Sequence, residues 1–183
     1  MVDNKEQNLN LPNILAGLRI LAAPLMLWFM IDQSNPIFEG IHRSWLDYFA
    51  GLVFVIASVT DFFDGFIARS WNQMTKLGAI LDPLADKMLM LAGFIGLIAL
   101  DRASALAVFL ILSREFFITG LRVVAVSEGK SVASTMAGKV KTVVQMIAIS
   151  FLLMDWPFAT ELLWLAVGLT LYSGYEYVRD YLK

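Results

Sequence analysis

Residues 61–86 read DFFDGFIARSWNQMTKLGAILDPLAD, and they join the end of one long apolar run to the start of the next. Four aspartates lie in this stretch, Asp61, Asp64, Asp82 and Asp86. On the 3.6-residue periodicity of a helix, Asp61 and Asp64 share one face, and Asp82 and Asp86 share a face of the next helix. The pattern predicts two acidic helix faces that could meet.

Carboxylates gathered at the depth of a membrane need a counter-charge. Each ionisable group there costs roughly 2.5–3.5 kcal/mol on insertion scales, and neighbouring carboxylates also repel one another. Oxygen ligands of this kind are preferred by hard cations such as Mg²⁺ and Mn²⁺. We therefore expect the four aspartates to hold two divalent cations, an arrangement suited to phosphoryl transfer because two ions can neutralise a diphosphate.

The composition predicts an integral membrane protein of the all-α class. Of 183 residues, 58% are hydrophobic, and they form runs long enough to cross a bilayer, which takes about 20 residues per helix. We expect one domain over residues 1–183, with six transmembrane helices over residues 14–31, 45–66, 77–100, 103–126, 140–154 and 160–178. Cysteine is absent, which excludes disulfides, thiolate catalysis and sulfur-ligated metals.

The segment before the first span allows two interpretations. Leu9, Leu11 and Ile14 alternate with polar residues, which is typical of a short interfacial helix resting on the headgroup layer. A plain helix entry with Asn10 or Asn13 as the N-cap is the alternative.

Basic residues predict the orientation of the spans. With the N-terminus inside, almost all lysines and arginines fall at or toward the cytoplasmic side, and only Arg43 and Arg102 fall outside. The loop between the second and third spans, and the aspartates with it, then lies at the cytoplasmic face. A soluble substrate could reach them there.

Small and polar residues beside the aspartates predict a binding site for a nucleotide donor. Gly65, Ala68 and Gly78 lack bulk, so they would let phosphates approach the helix backbone closely; packing of small residues between membrane helices is the alternative. Arg69 could clamp a phosphate with its planar fork, or be a snorkelling arginine at a span end. Thr75 could donate a hydrogen bond to the nucleotide.

Asp86 is the candidate catalytic base. It follows Asp82 by one helical turn, so it could bind a metal and also take the proton from an attacking hydroxyl. Pro83, between them, removes one backbone donor and could kink the start of the third span.

A separate set of cations predicts a site for a phosphate-bearing acceptor. Arg114 lies well inside the fourth span, and Arg122 follows eight residues later, about 80° around the helix. Lys139 and Lys141 begin the fifth span. An intramembrane arginine is a functional candidate by default, although Arg114 could instead be paired with Glu115 while the other three follow the positive-inside rule.

These residues resemble a known family. The run from Asp61 to Asp86 resembles the signature of the CDP-alcohol phosphotransferases, membrane enzymes that transfer a phosphatidyl or related group from a CDP-linked donor to an alcohol and release CMP. Every signature position is present: Asp61, Asp64, Gly65, Ala68, Arg69, Gly78, Asp82 and Asp86. Residues 12–15, 113–122 and 138–142 are similar to stretches of bacterial members that use glycerol 3-phosphate.

The resemblance implies a homodimer of six-helix chains in the bacterial inner membrane, with the active site toward the cytoplasm and no nucleic acid partner. It implies that the four aspartates bind two metals, that Asp86 is also the base, and that Gly65, Arg69 and Thr75 contact CDP-diacylglycerol. The cations Arg114, Arg122, Lys139 and Lys141 agree with glycerol 3-phosphate as the acceptor.

Two alternatives remain open. Within the same chemistry, serine or an inositol phosphate could be the acceptor. In another class, a divalent-cation transporter would also place carboxylates in the membrane, although clustering of the acids near one face argues against a conducting path.

Overall fold

The fold was analysed in a computed structural model that describes residues 11–70, 78–129 and 135–182. Only the backbone is described for residues 11–12, 61–70, 78–80, 82 and 126. Within this part of the chain, the structure is helical and contains no strand: α1 is Leu11–Ile31, α2 Arg43–Ser70, α3 Gly78–Ala99, α4 Ala105–Ser127, α5 Met136–Leu153 and α6 Ala159–Tyr181, with a 3-10 turn at Pro36–Phe38. The all-α prediction is confirmed, and each predicted apolar run corresponds to one helix.

Polar residues fix the breaks between the helices. After α1, the Asp32 carboxylate accepts hydrogen bonds from Trp28 Nε1 at 3.1 Å and from Asn35 Nδ2 at 2.7 Å. Asn35 Oδ1 then caps the 3-10 turn by accepting from the Ile37 amide at 3.0 Å. The first two bonds tie the turn to the end of α1, and the third satisfies a backbone donor that the start of the 3-10 turn would otherwise leave unpaired.

Within the described ranges, two helices meet the length and hydropathy expected of a membrane span, over residues Asn13–Ile31 and Met136–Leu153. Only 28% and 33% of their residues are buried inside the protein, whereas the core helix of a soluble protein is mostly buried. Large apolar side chains such as Leu21, Phe109 and Phe117 are exposed elsewhere in the helices. An apolar exterior of this extent indicates a membrane protein.

The chain divides into two compact units, Met1–Leu100 and Asp101–Lys183. In the first unit α1 packs against both α2 and α3, and α2 also contacts α3. In the second unit α6 packs against both α4 and α5. The single domain predicted from the sequence stays a prediction.

Close packing in the first unit depends on Gly96 of α3. A Cβ atom at this position would collide with the side chain of Met30, which is itself almost fully buried in α1. Because dispersion contacts rather than water exclusion hold helices together in lipid, this close approach contributes directly to the α1–α3 contact.

We expect Gly96→Val to lower the thermal unfolding midpoint of the detergent-solubilised protein, since overpacking costs about 1–3 kcal/mol. Gly17→Val is the matched control, because it adds the same side chain to α1 at a position with no atom within 4 Å of the new Cβ. Equal midpoints for the two variants would contradict this role of Gly96.

Candidate functional site

The first pair of motif aspartates lies near the end of α2. Its backbone is helical to Ser70, so Asp61 and Asp64 are separated by about one turn. Gly65, Ala68 and Arg69 follow in the same helix. The side chains of these five residues lie outside the described part of the chain, so their proposed contacts stay predictions.

The second pair lies near the start of α3. Gly78 is the first residue of this helix, and Asp82 and Asp86 are about one turn apart in it. The Asp86 side chain is partly buried and interacts with a neighbouring group. Thr75 and the side chain of Asp82 fall outside the described residues.

The carboxylate site predicted for divalent cations would lie on two helices of the first unit. Each of α2 and α3 carries two aspartates one turn apart, and the two helices contact each other. Carboxylate oxygens are the donors that Mg²⁺ and Mn²⁺ prefer. Among the side chains that are described, no group of three acidic, histidine or cysteine residues could hold a metal, but three of the four predicted ligands are not in that set.

A buried ionic cluster joins the three helices of the second unit. Glu115 Oε1, in α4, accepts hydrogen bonds from Arg114 Nη1 at 3.3 Å and from Lys141 Nζ of α5. Arg114 Nη2 donates to Ser173 Oγ of α6 at 2.9 Å. The Arg114 and Lys141 side chains are only 11% and 7% exposed, and that of Glu115 is 20% exposed. Charges buried to this degree are tolerated because they are paired and hydrogen-bonded.

The cluster holds a buried donor that no described residue uses. Arg114 and Lys141 are cations, and Glu115 is the carboxylate that both contact. Among the described residues, none accepts a hydrogen bond from the buried Nε of Arg114. A buried guanidinium with such a donor favours an anion, and phosphate oxygens match its planar fork.

A layer of neutral polar residues lies between α5 and α6. Gln145 Nε2 donates to Thr170 Oγ1 at 2.7 Å, and Thr170 Oγ1 donates to the Ala166 carbonyl at 2.6 Å. Because the Thr170 proton is used by Ala166, its oxygen must accept from Gln145, which fixes the amide orientation. Gln145, Thr170 and Ser173 are fully buried, so this layer fixes how α5 and α6 pair.

The other two predicted acceptor cations are placed differently. Arg122 is exposed on α4, and its guanidinium carbon lies 5.8 Å from the centroid of the Tyr177 ring, within the range of a cation–π contact. Lys139 is exposed near the start of α5. The structure therefore brings together Arg114 and Lys141, through Glu115.

Several residues of the cluster were not predicted from the sequence. The sequence offers Glu115 only as an alternative partner of Arg114, and it does not predict the contacts of Ser173 and Gln145. Gln145 carried a usable signal, because an amide inside an apolar span is expected to find an interhelical partner.

Comparison with known proteins gives the family. The family model for CDP-alcohol phosphatidyltransferases matches residues 9–172, which include the whole acidic motif and the ionic cluster. The chain belongs to the CDP-alcohol phosphatidyltransferase family. The resemblance inferred from the motif is thereby confirmed.

Similar members of the CDP-alcohol phosphatidyltransferase family come from several bacteria. The proteins named CDP-diacylglycerol–glycerol-3-phosphate 3-phosphatidyltransferase from Bacillus subtilis and Rickettsia felis are 41% and 37% identical to this chain. The Bacillus alignment covers 92% of this chain and 93% of the relative, and the Rickettsia alignment covers 93% and 94%. The protein of the same name from Escherichia coli K12 is 36% identical, over 92% and 93%.

We expect Glu115→Gln to destabilise the protein in detergent by about 3 kcal/mol, because it removes the buried carboxylate that both Arg114 and Lys141 contact. The measurement is the thermal unfolding midpoint. Adding Lys141→Met should recover part of the loss, because the second substitution removes one of the uncompensated charges. Additive losses in the double variant would argue against charge pairing as the role of Glu115.

Proposed function

We propose that this chain transfers a phosphatidyl group from CDP-diacylglycerol to glycerol 3-phosphate, giving phosphatidylglycerophosphate and CMP. The relatives that carry the name of this reaction align with it over nearly their whole length. The observation that favours a phosphorylated acceptor is the buried cluster of Arg114, Glu115 and Lys141. Serine, which bears no phosphate, would leave the Nε of Arg114 without an acceptor among the described residues.

In the proposed reaction, the 1-hydroxyl of glycerol 3-phosphate attacks the β-phosphorus of CDP-diacylglycerol. A new P–O bond forms to the acceptor while the bond between this phosphorus and the CMP oxygen breaks, so CMP leaves with the bonding electrons. Asp86 takes the hydroxyl proton as general base. Arg114 and Lys141 bind the acceptor phosphate, and Arg122 and Lys139 add positive charge that attracts it.

For the donor, we propose that Asp61, Asp64, Asp82 and Asp86 hold two divalent cations, Mg²⁺ or Mn²⁺. When bound, such ions neutralise the diphosphate. The donor itself contacts small and polar residues on either side of the loop between α2 and α3: Gly65, Ala68, Arg69, Thr75 and Gly78.

We further propose that all six helices cross the bacterial inner membrane, with the acidic motif at the cytoplasmic face and a homodimer as the assembled enzyme. Support comes from the lengths of the helices, which run from 18 to 28 residues, and from the excess of basic residues on one side of the predicted spans. The lipid tails of the donor would then enter sideways from the bilayer.

The experiment that tests the function is CMP release by the purified protein with CDP-diacylglycerol and a panel of acceptors. We expect glycerol 3-phosphate to give about tenfold more CMP than serine, because only an acceptor with a phosphate can use the buried Arg114 donor. It should also exceed inositol 1-phosphate, because the similar relatives are named for glycerol 3-phosphate. EDTA should abolish release, and excess Mg²⁺ or Mn²⁺ should restore it.

Other results would indicate a different acceptor, a site without divalent cations or a transporter. Faster release with inositol 1-phosphate would change the acceptor, and release that EDTA leaves unaltered would contradict the two-cation site. Divalent-cation flux into sealed vesicles, with no CMP release from any acceptor, would favour the transporter.

We expect Asp86→Asn to lower turnover by about 10²–10⁴-fold, because the amide cannot accept the proton, while some binding of CDP-diacylglycerol remains. The matched control is Asp101→Asn, the same chemical change at an exposed residue with φ of 58°, a backbone conformation that asparagine also tolerates. Equal activity of Asp86→Asn and the parent would remove Asp86 from the proposed mechanism.

A further inference from the structure

We propose that Ser173 and Gly174 of α6 are positioning residues that hold the Arg114 guanidinium in place for the acceptor phosphate. This rests on the proposed function, which assigns Arg114 to that phosphate. The proposal adds two neighbouring residues on a different helix, neither of which carries charge.

Ser173 holds one end of the guanidinium. Its hydroxyl oxygen accepts from Arg114 Nη2 at 2.9 Å, while its own proton goes to the Thr170 carbonyl at 3.1 Å. Because that proton is committed to the α6 backbone, the lone pairs of the hydroxyl remain directed at Arg114. Ser173 is fully buried, so no water competes for this bond and its direction is fixed by the helix.

Gly174 makes room for the rest of the side chain. A Cβ atom at this position would lie 3.1 Å from Arg114 Cγ, 3.2 Å from Nε and 3.7 Å from Cδ. The stem of Arg114 therefore lies directly against the bare backbone of α6. The α6 backbone is helical here, so glycine is required for the close approach rather than for an unusual backbone conformation.

Together these contacts restrict a side chain that is otherwise flexible. Arginine loses considerable rotamer entropy when it binds a ligand, unless its fork is already held in place. The bond from Arg114 Nη1 to Glu115 is longer, at 3.3 Å, so the contacts with α6 contribute most to the orientation. The Nε donor has no acceptor among the described residues, and a bound phosphate could use it.

The alternative is that Ser173 and Gly174 only join α4 to α6. Kinetic measurements distinguish this structural role from the positioning of Arg114. Loss of a positioning residue weakens binding of the acceptor alone, whereas general loosening of the unit lowers stability and affects both substrates.

The test compares Ser173→Ala and Gly174→Ala with Gly168→Ala, which adds the same methyl group to α6 where nothing lies within 4 Å. CMP release is measured while glycerol 3-phosphate and CDP-diacylglycerol are varied in turn. For Ser173→Ala we expect the glycerol 3-phosphate KM to rise about tenfold, as for loss of a hydrogen bond to a charged group. Gly174→Ala should raise it as well, because the added methyl group displaces the Arg114 side chain. The CDP-diacylglycerol KM should stay within about twofold, and Gly168→Ala should match the parent.

A double variant tests whether Ser173 acts through Arg114. If Ser173 acts only through Arg114, Ser173→Ala should raise the glycerol 3-phosphate KM no further once Arg114→Ala is present. Ser173→Thr, which keeps the hydroxyl, should retain more of the parent affinity than Ser173→Ala. An acceptor KM unchanged by both Ser173→Ala and Gly174→Ala, a parallel rise in both substrates' KM, or full additivity with Arg114→Ala would overturn the proposal.

The same measurements distinguish an error in the positioning role of Ser173 and Gly174 from an error in the proposed function. If the parent releases no CMP with glycerol 3-phosphate, or if Arg114→Ala leaves the acceptor KM unchanged, the assigned role of Arg114 is wrong and this proposal is overturned with it. If Arg114→Ala raises that KM while Ser173→Ala and Gly174→Ala do not, only the positioning role is wrong.

Discussion

Arg114 and Lys141 put two positive charges into the interior of the second unit, and Glu115 offers one negative charge against them. In an apolar surrounding, an uncompensated charge is costly, so the three side chains must stay in contact for the unit to be stable. Since they belong to α4 and α5, their contact also links these two helices. The Nε donor of Arg114, which has no acceptor among the described residues, is the group that a phosphate can use.

The positions of the helices could be predicted from the sequence because each is a long apolar run ended by polar turn residues. Asn35 and Thr135, for example, cap the structures that follow them. The acidic motif could also be found, since its spacing lies within consecutive helices. Contacts between α4 and α6 could not be predicted, because Arg114 and Ser173 are 59 residues apart and one sequence does not determine which helix faces meet.

The tertiary contacts of the glycines could not be predicted from the sequence either. Gly96, Gly168 and Gly174 all lie inside apolar helices, and the sequence around them does not separate their roles. In the structure, Gly96 accommodates Met30 and Gly174 accommodates Arg114, while Gly168 has no atom close to the place of a Cβ. Small residues in membrane helices permit close approach in general, and only the tertiary contact shows whether the group that approaches is structural or functional.

Charge balance also explains how one family fold could distinguish among acceptors. A site with a buried guanidinium donor that lacks an acceptor gains from binding a phosphorylated alcohol, because phosphate oxygens supply that acceptor. An acceptor without phosphate leaves the Arg114–Glu115–Lys141 cluster as it is, with the Nε of Arg114 still lacking an acceptor among the described residues. Sites with buried polar groups reject ligands that leave those groups unpaired more strongly than apolar pockets reject a small change in size. We therefore propose that the cluster selects the charge of the acceptor, while other residues of the site select its size.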